Sequence, residues 1–224
     1  MGKKALDKQV ENFSSCFNSL CCEKKVKREA RLLDIRYRLS LDLRVGIETE
    51  YSSTKGKDVR ETYELIFKFM DLWNVYEACQ GYGRKLSVCS NRSKKWNERF
   101  LKNNGLKDCL EKHAESFKSQ FLSTKSDWQT YKKYLEHFSE LDSITQNNQN
   151  RYRDYIAAGA KAFDYEQLLF IQYMERNAFY HGGEAAKSEV GYAYRKKLLK
   201  FYIDFLKEFI ALLGAQLFLE DSAR

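Results

Sequence analysis

Arg176 and His181 lie five residues apart in the run Glu175-Arg176-Asn177-Ala178-Phe179-Tyr180-His181-Gly182-Gly183. The run holds one of the chain's three histidines and its one Gly-Gly pair. An imidazole titrates near pH 6.5 and so can move a proton at neutral pH. A guanidinium grips a phosphate through two hydrogen bonds and stabilises charge growing on its oxygens. The two together suit cleavage of a phosphodiester. On RNA the 2′-hydroxyl can be the nucleophile, so this chemistry calls for no metal and no cofactor. It does need both a base and an acid, and the run offers one histidine. Two copies facing each other would supply two, which predicts a symmetric dimer with 176–183 at its interface.

Those side chains can share a site only if the local helix is shaped for it. On a continuous helix five residues turn the chain by about 500°, leaving Arg176 and His181 ~140° apart. The helix must therefore end near His181, and Gly182-Gly183 supplies the ending. Asn177 and His181 are spaced i, i+4, which allows the amide to orient the imidazole. Arg176 and Tyr180 have the same spacing on the neighbouring face, making Tyr180 a candidate substrate contact. The plainer alternative keeps Arg176 in a surface ion pair and His181 as a residue closing the helix. Two amphipathic segments flank the run. A helix over about 151–180 has Phe163, Leu168, Leu169, Ile171 and Met174 on its apolar side. Another over about 186–219 has Leu198, Tyr202, Phe205, Phe209, Leu212 and Leu213 on one face, with Asp204, Lys207 and Glu208 opposite.

The rest of the chain reads as helix too. It has no proline among 224 residues and only 11 glycines. Helix interiors exclude proline, whereas sheets usually carry several at edges and turns. A polar helix with a weak apolar side (Leu6, Val10, Phe13, Phe17, Leu20) covers 1–30. Between 32 and 47 the pattern is ambiguous. Ile35, Tyr37, Leu39, Leu41, Leu43, Val45 and Ile47 alternate as in a strand, yet Leu32, Ile35, Leu39, Leu43 and Ile47 fit one helical face. A lone strand would have no partner, so helix is expected. Residues 51–57 form a polar linker centred on Gly56. Asp58 then opens a capping box with Glu61. The helix behind it carries Leu65, Ile66, Phe69, Leu72, Trp73 and Tyr76, with Gly81 and Gly83 as its end. Two helical pieces, broken near 123–126, fill 106–142, and 143–150 is a polar connector.

The chain carries a formal net charge of +8, with 43% hydrophobic and 31% charged residues. That balance suits a globular protein with a polyanionic partner. Its most basic stretch, 84–104, includes Lys94 and Lys95 beside Trp96. This is either an RNA-facing strip, with Lys94 and Lys95 as substrate contacts and Trp96 for stacking, or a solvated segment with Trp96 turned into the core. The six cysteines contain no CxxC pair, and buried, reduced thiols in a cytoplasmic protein are expected. Lys3 and Lys4 precede no apolar run, so no secretory signal is read. Leu6 replaces the Ser or Thr of a myristoylation signal. No apolar run approaches ~18 residues, so no membrane span is expected.

Arg176, Asn177 and His181 match, in order and spacing, the signature of the HEPN family (higher eukaryotes and prokaryotes nucleotide-binding): Arg, often a polar residue next, then His four to six residues after the Arg. The run ending in His-Gly before the last long helix resembles that of many members. Phe69-Met70-Asp71-Leu72-Trp73-Asn74-Val75-Tyr76-Glu77 resembles the Leu-Trp-containing early helix of several subfamilies. The resemblance covers about 58–219. It implies an all-α bundle of long antiparallel helices over 58–224; residues 1–57 have no counterpart in the family and are expected to form an additional, helical segment. It also implies a homodimeric, metal-independent endoribonuclease, acting as a toxin with a neutralising protein partner, a phage-defence effector or an RNA-processing factor. Carried over, His181 would transfer protons, Arg176 would contact the phosphate and Asn177 would position both. One subfamily is controlled by modification of a tyrosine two residues after the histidine, where this chain has Gly183. Other members are non-catalytic modules binding RNA, a nucleotide or a protein, and that remains the alternative.

Overall fold

A computed structural model describes residues 28–46, 56–92, 94–140, 145–180 and 190–223. The N-terminal helix read over 1–30 lies almost wholly outside these residues, as do most of the 51–57 linker and His181, Gly182 and Gly183. The regular structure of the described residues is helical, with no strand, as the missing prolines led one to expect. In order, the helices are α1 Arg28–Asp42, α2 Gly56–Lys85, α3 Glu98–Asn103, α4 Leu106–Phe121, α5 Lys125–Ser139, α6 Gln146–Ala158, α7 Tyr165–Tyr180 and α8 Tyr192–Ser222. A 3₁₀ turn, Ala160–Ala162, joins α6 to α7. An isolated antiparallel bridge, Cys89 to Trp96, closes the loop after α2.

The chain divides into two compact units built from non-consecutive segments. The first draws on residues up to Arg44, Met70–Cys109 and everything from Ile203 on. The second draws on Val45–Phe69 and Leu110–Tyr202. Long helices α2, α4 and α8 thus each contribute to both.

In the first unit, α1 buries Leu33 and Tyr37, and the Tyr37 hydroxyl donates to the Lys207 carbonyl at 2.9 Å. Tyr76 packs on Phe209, and its hydroxyl accepts from the Trp96 indole at 3.1 Å. Trp96 is therefore core, stacked on Phe100, and not a free platform for bases. Gly83 permits this. A Cβ at Gly83 would meet the Trp96 ring at 2.5 Å, so the glycine lets the indole lie against the helix.

Several sequence expectations need correcting. α2 runs through Gly81 and Gly83 to Lys85, and Gly83 serves close packing against Trp96 and not termination of the helix. α1 is a helix as expected, but it ends at Asp42, and Leu32, Ile35 and Leu39 on it, with Leu43 just past its end, are exposed to solvent, while Leu33, Tyr37 and Ser40 are buried. The helix read over 151–180 is two helices. Gly159, at φ 77°, ends α6, and α7 starts six residues later. α6 also begins at Gln146, inside the expected connector. Glu208, read as facing solvent, is buried. Asp58 and Glu61 do not cap α2. They hold Lys196 between them, each at 2.8 Å. Those bonds lower the Glu61 carboxyl and raise the Lys196 ammonium from their ordinary values.

The second unit is centred on Phe117, which stacks on Phe121 and on Phe163, both at 4.7 Å between centroids, and meets Tyr131 and Phe201 edge-on. α5 starts at a capping box. The Thr124 hydroxyl accepts from the Asp127 amide, and the Asp127 carboxylate accepts from the Thr124 amide. α5 and α6 pack on each other, and α7 and the first third of α8 complete the unit.

Candidate functional site

α7 is amphipathic for a plain reason: Leu168, Ile171, Met174 and Ala178 recur at three- and four-residue spacing and are all buried. That leaves Arg176, Asn177 and Tyr180 on the side turned outward. Its last turn holds these three together. The Arg176 guanidinium donates from Nη1 to Asn177 Oδ1 at 2.8 Å. Its centre lies 4.6 Å from the Tyr180 ring centroid, the cation–π contact that i, i+4 spacing allows. Tyr180 is 59% exposed and Arg176 half-buried, so the guanidinium is steered by two neighbours while staying within reach of solvent.

Asn177 turns its carbonyl oxygen to Arg176, and so orients the guanidinium. The partner foreseen for it, His181, lies outside the described residues. Lys94 and Lys95 are exposed in the loop before α3 and belong to the first unit, whereas Arg176, Asn177 and Tyr180 belong to the second. Lys94 has a left-handed backbone (φ 52°), its carbonyl accepts from Gln80, and its ammonium lies 3.5 Å from the Glu77 carboxylate. The Lys95 carbonyl accepts from the Ser90 amide, and its own amide donates to the Ser90 hydroxyl. Both lysines thus take part in holding their own loop.

Directly beneath Arg176 is a feature that the sequence reading passed over. Glu175 and Arg195 are 1% and 0% exposed and form an ion pair at 2.9 Å, linking the last turns of α7 to the first turn of α8. The Tyr134 hydroxyl donates to the other Glu175 carboxylate oxygen. The Arg195 guanidinium lies 5.0 Å from the Phe179 ring centroid and 5.5 Å from that of Phe138. Burial and the Glu175 charge push the Tyr134 phenol well above its ordinary value. Burial, with the same charge contributing, does so for Tyr131, Tyr152 and Tyr202. A buried carboxylate ringed by phenols and closed by one arginine fixes geometry more than it supplies net stability. Here it fixes the two helices on either side of 181–189. A signal was present in the chain. Glu175 falls on the apolar line of 168, 171 and 178, and Arg195 heads the line of 198, 202, 205 and 209. A charge on a core stripe requires a buried partner.

What the arrangement can do chemically is bind an anion: a guanidinium aimed by an amide and flanked by an exposed aromatic ring fits a phosphate with an adjoining base. Comparison with protein-family models, with curated proteins and with solved structures finds no match in any of the three.

Proposed function

We propose that the chain is a metal-independent endoribonuclease of the HEPN type, working as a homodimer. Arg176 binds the scissile phosphate, Asn177 holds the guanidinium, and Tyr180 offers a face to a neighbouring base. His181 of one copy takes the 2′-hydroxyl proton. The 2′-oxygen attacks phosphorus, the bond to the 5′-oxygen breaks, and the His181 of a second copy protonates that leaving oxygen. The products are a 2′,3′-cyclic phosphate and a 5′-hydroxyl. The supporting observation is the Arg176–Asn177–Tyr180 cluster, set in the last turn of α7 directly before the only histidine of the motif. The overall charge of +8 suits an RNA partner. A role as a toxin or phage-defence effector, restrained by a neutralising partner, would follow from such an activity.

The test is incubation of the purified chain with labelled structured RNA in EDTA, wild type beside His181→Ala and Arg176→Ala. Fragments ending in 2′,3′-cyclic phosphate are expected from wild type, with the rate down about 10²–10⁴-fold in His181→Ala and about 10²–10³-fold in Arg176→Ala. Undiminished cleavage by His181→Ala, or dependence on Mg²⁺, would overturn the proposal. Salt-sensitive RNA binding with no cleavage by wild type would identify a binding module instead.

A further inference from the structure

α1 and the residue that follows it present a line of large apolar side chains to solvent: Leu32, Ile35 and Leu39 on the helix and Leu43 just past its end are 44%, 51%, 66% and 38% exposed. Leu32, Ile35 and Leu39 follow one another at spacings of three and four, and so form a single stripe on the helix, away from its buried Leu33, Tyr37 and Ser40; Leu43 follows just past its end. Isolated exposed leucines need no explanation, but a continuous stripe does. The stripe is bordered by two hollows. One, of about 580 Å³, lies among Leu32, Leu33, Ala78, Tyr82, Arg84 and Lys85. The other, of about 210 Å³, lies among Leu39, Asp71, Asn74 and Val75. Arg36 stands at the edge of both.

The electrostatics of this face are one-sided. Arg31 and Arg44 are exposed next to the two ends of the stripe, and Arg36 and Arg84 enter no ion pair with a described residue. Of the nearby acids whose side chains are described, Asp34 is buried and bonded to Arg38, Asp71 accepts from Ser40, Asp221 accepts from the Tyr82 hydroxyl, and Asp42 is exposed.

We propose that this face of α1 docks an acidic amphipathic helix of another protein. Its apolar side chains would fill the two hollows, and its carboxylates would meet Arg36 and Arg84. The charge balance selects this occupant. A second copy would set the same basic face against itself. The segment before α1 is basic as well, with Lys3, Lys4, Lys8, Lys24, Lys25 and Lys27 against Asp7, Glu11 and Glu23. An anionic membrane would match the charge but has no side chains to seat in hollows, whereas a helix with anchors at i, i+3 or i+4 and i+7 does. The proposal is independent of the RNA reading and can stand or fall alone.

The probe is a fluorescein-labelled synthetic helix of about 18 residues, five turns, with leucines on one face and glutamates flanking them, titrated with the full chain and followed by anisotropy. Saturable binding is expected. Ile35→Ser with Leu39→Ser should weaken it by about tenfold or more, and Arg36→Glu should act in the same direction. These side chains are exposed, so both variants should keep wild-type circular dichroism. A matching peptide with lysine in place of glutamate should bind at least about tenfold more weakly. The proposal is overturned if the two peptides bind alike, or if the variants bind as wild type does. It is equally overturned if the serine variant instead abolishes sedimentation with phosphatidylglycerol vesicles, or converts a dimer to a monomer in light scattering.

Discussion

Arg195→Met keeps much of the side chain's length but removes the charge facing Glu175, so a buried carboxylate loses its counter-ion. Such a change costs about 3–5 kcal/mol, and urea denaturation of the variant should show a loss of that size. Adding Glu175→Gln should recover a good part of it, since the uncompensated charge is then gone; a double variant as weak as the sum of the singles would show that the pair acts otherwise. Gly83 is a second sensitive position. A methyl group there meets the Trp96 ring at 2.5 Å, so the indole has to move off α2 and off the Tyr76 hydroxyl. Gly83→Ala should cost about 1–3 kcal/mol despite the better helix propensity of alanine. A lower melting temperature together with a changed tryptophan emission would register it.

At the scale of the element, the capping box before α5 offers a test in which pH takes part. The Thr124 hydroxyl, then that of Ser123, and the Thr124 amide hold the Asp127 carboxyl below its ordinary value of 3.8. A lowered carboxyl stabilises the fold above pH 3.8, and that stabilisation is lost as pH falls towards the lowered value. Thr124→Ala should cost about 1 kcal/mol near neutrality. The gap in stability between wild type and Asp127→Asn should narrow as the solution is acidified below that range, as chemical denaturation at several pH values would show. Elements of this kind were partly legible beforehand. The cores of α2, α7 and α8 followed from spacings of three and four, because a buried helix face repeats at 3.6. Their ends did not follow, since a glycine can stop a helix, as Gly159 does, or let a tryptophan approach it, as Gly83 does. The stripe on α1 was legible as a stripe, but spacing does not tell which side of a helix is covered. For the candidate site, the grouping of Arg176 with Tyr180 was readable from i, i+4 spacing, whereas the bond from Arg176 to Asn177 joins adjacent residues, which no helical periodicity anticipates.

For the molecule as a whole, the two units are assembled from segments far apart in the chain, and no composition shift or linker marks such a division. Only the packing reveals it. The phenols report on both units at once. Burial pushes Tyr37 and Tyr76 in the first, and Tyr131, Tyr134, Tyr152, Tyr194 and Tyr202 in the second, above their ordinary 10.0. Their raised values favour the fold fully below pH 10.0, and the advantage is lost as pH climbs beyond it, because the unfolded chain then releases protons that the folded one retains. Phenolate absorbance in alkaline buffer should therefore be smaller for the folded chain than for the chain in urea, and stability should fall steeply in the same range. Full phenolate formation in the folded protein would contradict the packing described. The Glu175–Arg195 pair bears also on the protein's descent. Neither position can change alone without leaving a stranded charge inside, so a lineage must pass through a weakened intermediate to alter either. Sister sequences should then carry both residues, a reversed pair, or an uncharged pair, and two positions twenty residues apart should drift together or not at all.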